Sequence, residues 1–423
     1  MKNNFQSHVG AEHLLCKLTL TLAFIPALLS AGEVADITAK NLTASGVERA
    51  DFLQPFGSIR ARYDFGDTNG FDKSTLGSIR TRVGLMTRSL SGFSLLVEGE
   101  NTYILTDRDK YRPYPGYPPS NRTVIADPEN IQLNRVQLSY ESEAFQSKLT
   151  VGRQLIHYGD HRFIGNVGWR QNDQTYDAIR FENSSLDNLK FNYAYLAQVN
   201  RIFGAKAPSR GLQKWDSDSH LFELEYSGIE NHKLKVFSYL LDFSNSAANS
   251  SNTYGMELTG SSESCIGDLQ YIFTAAVQKD AANNPVDYQA YYLRGQVAVK
   301  RDAYHFGLGS EMMTSDGSGR FLFPLGTNHK FNGFADAFLT TPTNGLIDTY
   351  AWIGTETYGI NHKLSLHNYQ SEELSSSIGW ELDYVASKQL CKSSKGILKL
   401  AHLMGDNGQA DITRASIEID YSF

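Results

Sequence analysis

Beyond residue 29 the sequence contains no run approaching the ~20 consecutive apolar residues that a membrane-spanning helix needs. A helical membrane protein is excluded. Cysteine is scarce: there are three in 423 residues, and only Cys265 and Cys391 lie beyond the N-terminal apolar segment. They fall in separate predicted turns and read as two free thiols, not as a disulfide framework or a metal site. There is no basic excess either, since 39 Lys and Arg against 46 Asp and Glu leave a formal charge of −7. That balance argues against nucleic acid as a partner. No G-x-S-x-G segment occurs, and no Ser/His/acid set can be assembled. His157 and His161 have the spacing of a helical metal pair, but Gly159 lies between them in a loop-like context. Asp406-Asn407-Gly408 reads as a turn. No enzymatic activity, cofactor or metal is expected.

What is present is aromatic and glycine-rich. Tyr and Phe number 23 each, aromatics reach 12%, and there are 35 Gly. With 20% charged residues and a mean hydropathy of −0.36, the chain would pass for a soluble protein. The N-terminus argues otherwise. Lys2 and Lys17 precede an apolar run at 18–29, too short to span a bilayer, and Ser30-Ala31-Gly32 supplies small residues for cleavage. Residues 1–31 are therefore expected to be a signal peptide, 32–54 a periplasmic lead-in, and 55–423 one further domain.

From residue 55 the sequence alternates apolar with polar residues in segments of about ten. Ser78-Ile79-Arg80-Thr81-Arg82-Val83-Gly84-Leu85 and Leu221-Phe222-Glu223-Leu224-Glu225-Tyr226 are clear cases. Period-2 alternation scatters apolar residues around a helical wheel, so these are strands. Short connectors (89–92, 142–146, 184–188, 228–232, 261–267, 301–303, 359–362, 390–395) alternate with longer, Gly/Asn/Asp/Pro-rich ones (106–130, 156–174, 199–217, 245–252, 279–287, 315–347, 405–410). A secreted β-sandwich also alternates. The C-terminus separates the two: Ile417, Ile419, Tyr421 and Phe423 form an alternating, aromatic-ended strand that resembles the signal read by the outer-membrane barrel assembly machinery. The expected fold is all-β: an antiparallel transmembrane β-barrel of about 18 strands, with sixteen as the alternative. Short periplasmic turns, long extracellular loops, outer-membrane lipid and the barrel assembly machinery as partners, and a bacterial outer-membrane location follow.

In such a barrel the outward face is apolar and charged strand residues mark the lumen. By this parity Arg60, Arg62 and Asp64 point inward on the first strand, Arg80 and Arg82 on the second, and Glu98 and Glu100 on the third. Arg180, Glu182, Glu223, Glu225, Arg294, Lys300, Glu381, Asp383, Arg414, Glu418 and Asp420 share it. Arg153 falls on the lipid side near the outer rim. Arg135 has ambiguous parity, which a bulge or a rim position would resolve. Arg414, Glu418 and Asp420 are expected to meet Arg60, Arg62 and Asp64 where the last strand closes on the first. An interior of Arg opposite Glu and Asp fits a polar channel with a field across it. The alternative is that the ladders only brace the wall and leave a plugged, structural or receptor-like barrel.

The block Val151-Gly152-Arg153-Gln154, then Gly159-Asp160-His161-Arg162-Phe163-Ile164-Gly165-Asn166-Val167-Gly168-Trp169-Arg170-Gln171-Asn172 and Gln174-Thr175-Tyr176-Asp177-Ala178-Ile179, resembles the alginate-export family of outer-membrane proteins. Asp127-Pro128-Glu129 and Arg60-Ala61-Arg62-Tyr63-Asp64 are similar to that family as well. The resemblance implies an 18-stranded monomeric barrel passing an anionic oligo- or polysaccharide, or related small anions, through an arginine-lined pore. It further implies that Arg153, Arg162 and Arg170 stand at the constriction beside Trp169. The interior departs from the strongly basic lumen of a dedicated alginate exporter by carrying many carboxylates. Two long segments are candidate gates: the Tyr/Pro-rich 111–119, and 315–347, whose phenylalanines (Phe321, Phe323, Phe331, Phe334, Phe338) favour folding against the wall or into the mouth.

Overall fold

The computed structural model describes residues 52–423, so the expected signal peptide and most of the lead-in lie outside the described residues. The first six strands are β1 (Leu53–Thr68), β2 (Ser74–Thr87), β3 (Phe93–Ile104), β4 (Asn130–Ser142), β5 (Ser147–Gln154) and β6 (Thr175–Asn183). Next come β7 (Leu189–Asn200), β8 (Lys214–Ile229), β9 (His232–Leu241), β10 (Ser251–Ser264), β11 (Gly267–Asp280) and β12 (Gln289–Arg301). The last six are β13 (Tyr304–Met313), β14 (Leu346–Thr357), β15 (Ile360–Gln370), β16 (Ser377–Cys391), β17 (Ser394–Gly405) and β18 (Ile412–Ser422). Each pairs antiparallel with its chain neighbours, and β18 pairs with β1, closing one 18-stranded sheet. Closure leaves no sheet edge with unpaired backbone groups, the condition for crossing a bilayer with strands. Among the described residues no helix is long and apolar enough to cross a membrane. The strands begin at Leu53, two residues before the expected boundary.

Short and long connectors segregate to opposite ends. At the turn end lie tight links such as 230–231, 265–266, 302–303 and 392–393, and at the loop end lie 105–129, 155–174, 201–213 and 314–345. The links at 69–73 and 371–376 also sit at the loop end, and their brevity hides them in the sequence. The outer face carries Val83, Leu85, Leu95, Val97, Leu138, Val151, Leu293, Leu308, Ile353, Leu366 and Ile417, all exposed as a lipid-facing surface requires. Outward aromatics form two bands: Phe93, Tyr140, Tyr226 and Tyr304 near the turn end, and Tyr103, Tyr254, Tyr291 and Trp380 near the loop end. Amphipathic rings collect at the headgroup level for this reason.

The closing seam is a charged one on its inner face. Arg60 stands opposite Asp420 and Arg62 opposite Glu418, with Arg60 Nε–Asp420 Oδ1 at 3.1 Å and Arg62 Nη2–Glu418 Oε2 at 2.6 Å. On its outer side Gly57 and Phe423 exchange backbone hydrogen bonds of 3.0 Å, and a side chain at Gly57 would collide with the Phe423 ring. Phe423 thus finishes the seam in register.

The lumen is largely filled. The connectors 155–174 and 314–345 fold inward and join each other: Ile164 bridges Leu325, Gly165 N donates to Leu325 O at 2.8 Å, and Thr327 N donates to His161 O at 2.9 Å. Toward the loop end they bury Ile156, Ile164, Phe321, Phe323 and Leu325 against inward wall residues Tyr176, Leu196, Phe237, Tyr239, Tyr292 and Met313. Phe163 sits amid them, its ring centre 4.8 Å from Phe237 and 5.3 Å from Phe323. At roughly 1.5–3 kcal/mol per fully buried large apolar side chain, this cluster is a strong anchor. The expectation of a polar lumen therefore holds for only part of it. The part around Phe163 behaves like the core of a water-soluble protein.

Candidate functional site

Most inward arginines are occupied by the protein itself. Arg60 donates to the backbone oxygens of Gly168, Trp169 and Arg170, and Arg62 to Trp169 O at 2.5 Å and to Glu418. Arg80 donates to Gln171 O at 3.2 Å. Arg82 pairs with Glu100 at 2.6 Å and with Asp173 at 2.7 Å. The basic residues of β1 and β2 thus hold connector 155–174 by its carbonyls and its acid. A fixed guanidinium fork suits this task because several donors converge on one loop.

Arg135 points inward through a bulge. Glu98 pairs with Arg135 and the next residue, Gly99, with Leu133, so Asn134 and Arg135 both face the lumen. Both donate to Glu98, at 2.7 Å from Asn134 Nδ2 and at 3.0 and 2.7 Å from the Arg135 guanidinium.

Arg153 is corrected from the constriction to the outer face. Alternation from Leu149 and Val151 carries it outward, where it forks onto Asp177 at 2.7 and 2.9 Å at the loop end of the wall. Arg162 and Arg170 do lie within the barrel, but both are buried in pairs. Arg162, 2% exposed, bonds Glu311 at 2.7 Å and Asn332 at 2.9 Å, with its guanidinium 3.8 Å from the Phe323 ring centre. Arg170 pairs with Asp336 at 2.8 Å. Trp169 is sandwiched: Arg62 stands 4.0 Å from its ring centre, Lys399 Nζ 3.6 Å, and His329 stacks on it at 4.1 Å.

The remaining expected residues are wall braces or loop anchors. Arg180 pairs with Glu182 at 2.9 Å, Glu223 accepts from Tyr239, and Glu225 meets Lys233 at 3.0 Å. Arg414 donates to Val124 O at 2.7 Å. Glu381 accepts the Ala335 N–H at 2.6 Å and Asp383 that of Phe334 at 3.2 Å, holding connector 314–345 to β16. The segment 111–119 packs at the loop end: Tyr111 is buried with Ile125 and Leu76, an inward residue of β2, and Tyr114 packs on Phe203 at 6.1 Å. His157 and His161 stack at 4.5 Å on no helix, and no potential metal cluster occurs among the described residues.

Three connector groups owe their charge state to burial and to the partners they meet. Burial, with Lys399 and Arg170 nearby, pushes His329 down to about 3, so its imidazole is neutral. Its Nδ1–H donates to Asp336 at 2.6 Å while Nε2 faces Lys399 Nζ at 3.3 Å. Burial would raise Asp336, but His329 and Arg170 hold it well below the usual carboxylate range. Asp160 likewise stays low despite burial, because Arg294 stands against it.

A small space of about 30 Å³ borders Trp169, Arg170, His329 and Arg414, and a larger one lies on the other side of the lumen. A cavity of about 310 Å³ is bounded by Arg294 and Gln296 of β12, His305 and Glu311 of β13, Tyr350 and Trp352 of β14, Lys363, Ser365 and His367 of β15, and Asp383 of β16. Connector residues Asp160, Lys330, Phe331, Asn332, Gly333 and Phe334 complete it. Of the expected site residues only Arg294 and Asp383 reach it. Phe331 and Phe334 were expected to fold against the wall or into the mouth, and the lining includes both. The β12–β15 residues beyond Arg294 escaped the sequence reading, although Tyr350/Trp352 and Lys363/Ser365/His367 keep inward parity and parity alone would have flagged them.

The family model for alginate export matches residues 53–314. The chain belongs to the alginate export family. No curated protein matches its sequence. Among solved structures it is similar to Pseudomonas aeruginosa OpdK, a structure with vanillate: 12% identity, TM-score 0.68, covering 88% of this chain and 98% of that one. Pseudomonas aeruginosa OccK9 (OpdG) has 12% identity, TM-score 0.67 and the same two coverages. Acinetobacter baumannii OccAB4 has 13% identity and TM-score 0.66, again over 88% and 98%. At these identities the likeness is one of fold: the closed 18-stranded barrel. Membership in the alginate export family places the chain in the outer membrane as a porin-like channel protein. The family match spans β1 to β13 and so includes the arginine ladder and connector 155–174. It stops at residue 314, before connector 314–345 and the β14–β16 wall of the cavity.

Proposed function

We propose that this member of the alginate export family is a narrow, solute-selective channel for small anions of about the size of one or two sugar units. The carrying observation is the cavity. Its volume of about 310 Å³ sits at the lower end of the roughly 300–1,000 Å³ of ligand pockets. A cavity of this volume holds one or two sugar units, not a polysaccharide strand. Charge supports an anion despite the carboxylates in the lining. Asp160 is matched by Arg294, Glu311 by Arg162 and Arg294, and Asp383 by a backbone N–H and the nearby His367. Lys363 is exposed to the lumen from β15. A fixed cation in a low-dielectric passage favours anion entry.

Reconstitution into planar bilayers tests this reading. Discrete conductance steps, with a reversal potential displaced toward the chloride equilibrium value under a KCl gradient, are the expected result. Cation selectivity would overturn the anion assignment. One observation favours a second reading, a structural or receptor-like barrel: the two inward connectors share an apolar core with the wall. Absence of any conductance step would select it.

A further inference from the structure

The inner faces of β13 and β14 carry rings laid flat on glycine. Gly307 stands opposite Trp352, Gly309 opposite Tyr350, and Gly354 opposite His305. A Cβ built at any of these glycines would approach the facing ring closer than 3.0 Å. A residue larger than glycine there would tip the ring into the lumen. Instead the rings lie along the wall, and the space they leave is the cavity. The flat surface extends across strands. Tyr350 lies 5.9 Å from Trp352 at an interplanar angle of 28°, and His367 lies 5.3 Å from Tyr350 at 26°. Three near-parallel rings therefore form one shelf.

The shelf has a polar margin. Lys363 Nζ is 5.2 Å from the Trp352 ring centre, Tyr350 donates its hydroxyl to Gln296 at 3.1 Å, and Ser365 lies opposite Trp352 on β15. Asn332, Asp160, Glu311 and Asp383 complete the rim.

We propose that this shelf is a ring-stacking subsite for a sugar acid, and that Gly307 and Gly309 determine its specificity by keeping the rings flat. The inference rests on the channel reading and names the solute class. Each part of the ligand has a counterpart. The C–H face of a pyranose ring covers an aromatic face, its hydroxyls donate to the carboxylate and amide oxygens of the rim, and its carboxylate meets Lys363. An aromatic acid supplies the face and the charge but no hydroxyl donors for the oxygens of the rim. An open-chain sugar acid supplies donors and charge but no face.

The test compares three probes, glucuronate, gluconate and benzoate, as blockers of single-channel current through the full-length barrel. Glucuronate is expected to dwell at least about tenfold longer than either of the others, a difference of about 1.4 kcal/mol. Trp352→Leu is expected to erase the glucuronate–gluconate difference in dwell time. Gly309→Ala, by lifting the Tyr350 ring, is expected to erase it and lower KCl conductance. Folding of each variant is checked by heat-modifiable gel mobility, with Tyr350→Leu replacing any that fails. Equal dwell times for glucuronate and gluconate in the unmodified protein overturn the shelf, and benzoate dwelling as long as glucuronate overturns the sugar assignment. Saturation-transfer NMR on the detergent-solubilised barrel reads binding without conductance. A silent bilayer with glucuronate binding that Trp352→Leu removes would sink the channel and keep the shelf, and no binding there would sink both.

Discussion

Arg62→Ala tests whether the arginine ladder is a solute path or a fastening for connector 155–174. The Arg62 guanidinium donates to Glu418 at 2.8 and 2.6 Å and to Trp169 O at 2.5 Å, and covers the Trp169 ring at 4.0 Å. The Arg62–Glu418 pair joins β1 to β18 whether or not the connector is docked. What the connector loses is a hydrogen bond from a charged donor, worth about 1.5–3 kcal/mol, and a cation–π contact worth about 0.5–2 kcal/mol. The barrel itself does not bear the loss, since β1 and β18 remain joined along Ser58–Thr68 by their backbone ladder. The loss falls on the docked connector. At 1.4 kcal/mol per factor of ten, about 3 kcal/mol raises the undocked population roughly a hundredfold. Hydrogen exchange of backbone amides at 166–174 reads that population directly, and single-channel current should become larger and noisier. Arg62→Lys, which keeps charge but loses the fork, should fall between. Exchange within threefold of the unmodified protein, in a variant that folds, would refute the fastening role. The apolar cluster around Phe163 would then hold the connector alone.

Other expectations follow from the same geometry. Lys363→Glu should move the reversal potential toward cation preference without changing gel mobility, and an unmoved potential would remove Lys363 from the conduction path. Cys265, exposed in a turn-end link, should react with a membrane-impermeant maleimide only after the outer membrane is opened, whereas reaction in intact cells would invert the barrel's orientation. The His329 contact predicts acid sensitivity. A released His329 takes a proton near its ordinary 6.5, while the docked one stays neutral down to about 3. The released state therefore binds more protons across that window, so docking is strongest above pH 6.5 and weakens as pH falls toward 3. Asp336, held low, adds loss in the same direction below the ordinary carboxylate range. Groups facing this pair are Arg170, Lys399 and Trp169. Exchange at 325–336 should rise from pH 6.5 to 4 and be flatter in His329→Gln; a flat profile in the unmodified protein would count against it.

Sequence alone determined the fold because a barrel writes its lipid interface into every strand. Each outward position must be apolar, so period 2 survives in Ser78–Leu85 or Leu221–Tyr226 whatever the lumen contains, and the Arg60–Asp420 and Arg62–Glu418 seam is predictable from parity. What it could not determine is which inward charges meet solvent. Arg162 and Arg170 look like pore residues in one dimension. They become buried anchors only because connector 155–174 turns back into the barrel and presents its carbonyls to β1 and β2. The inward apolar set that receives the phenylalanines of 314–345, Phe237, Tyr239 and Tyr292 with Phe163, was hidden for the same reason: a lumen packed by its own loops obeys the rules of a protein core, not those of a water-filled channel. The shelf depends on registers no local pattern encodes. Gly307 and Gly309 lie more than forty residues from Tyr350 and Trp352, and only β13–β14 pairing sets each glycine against its ring.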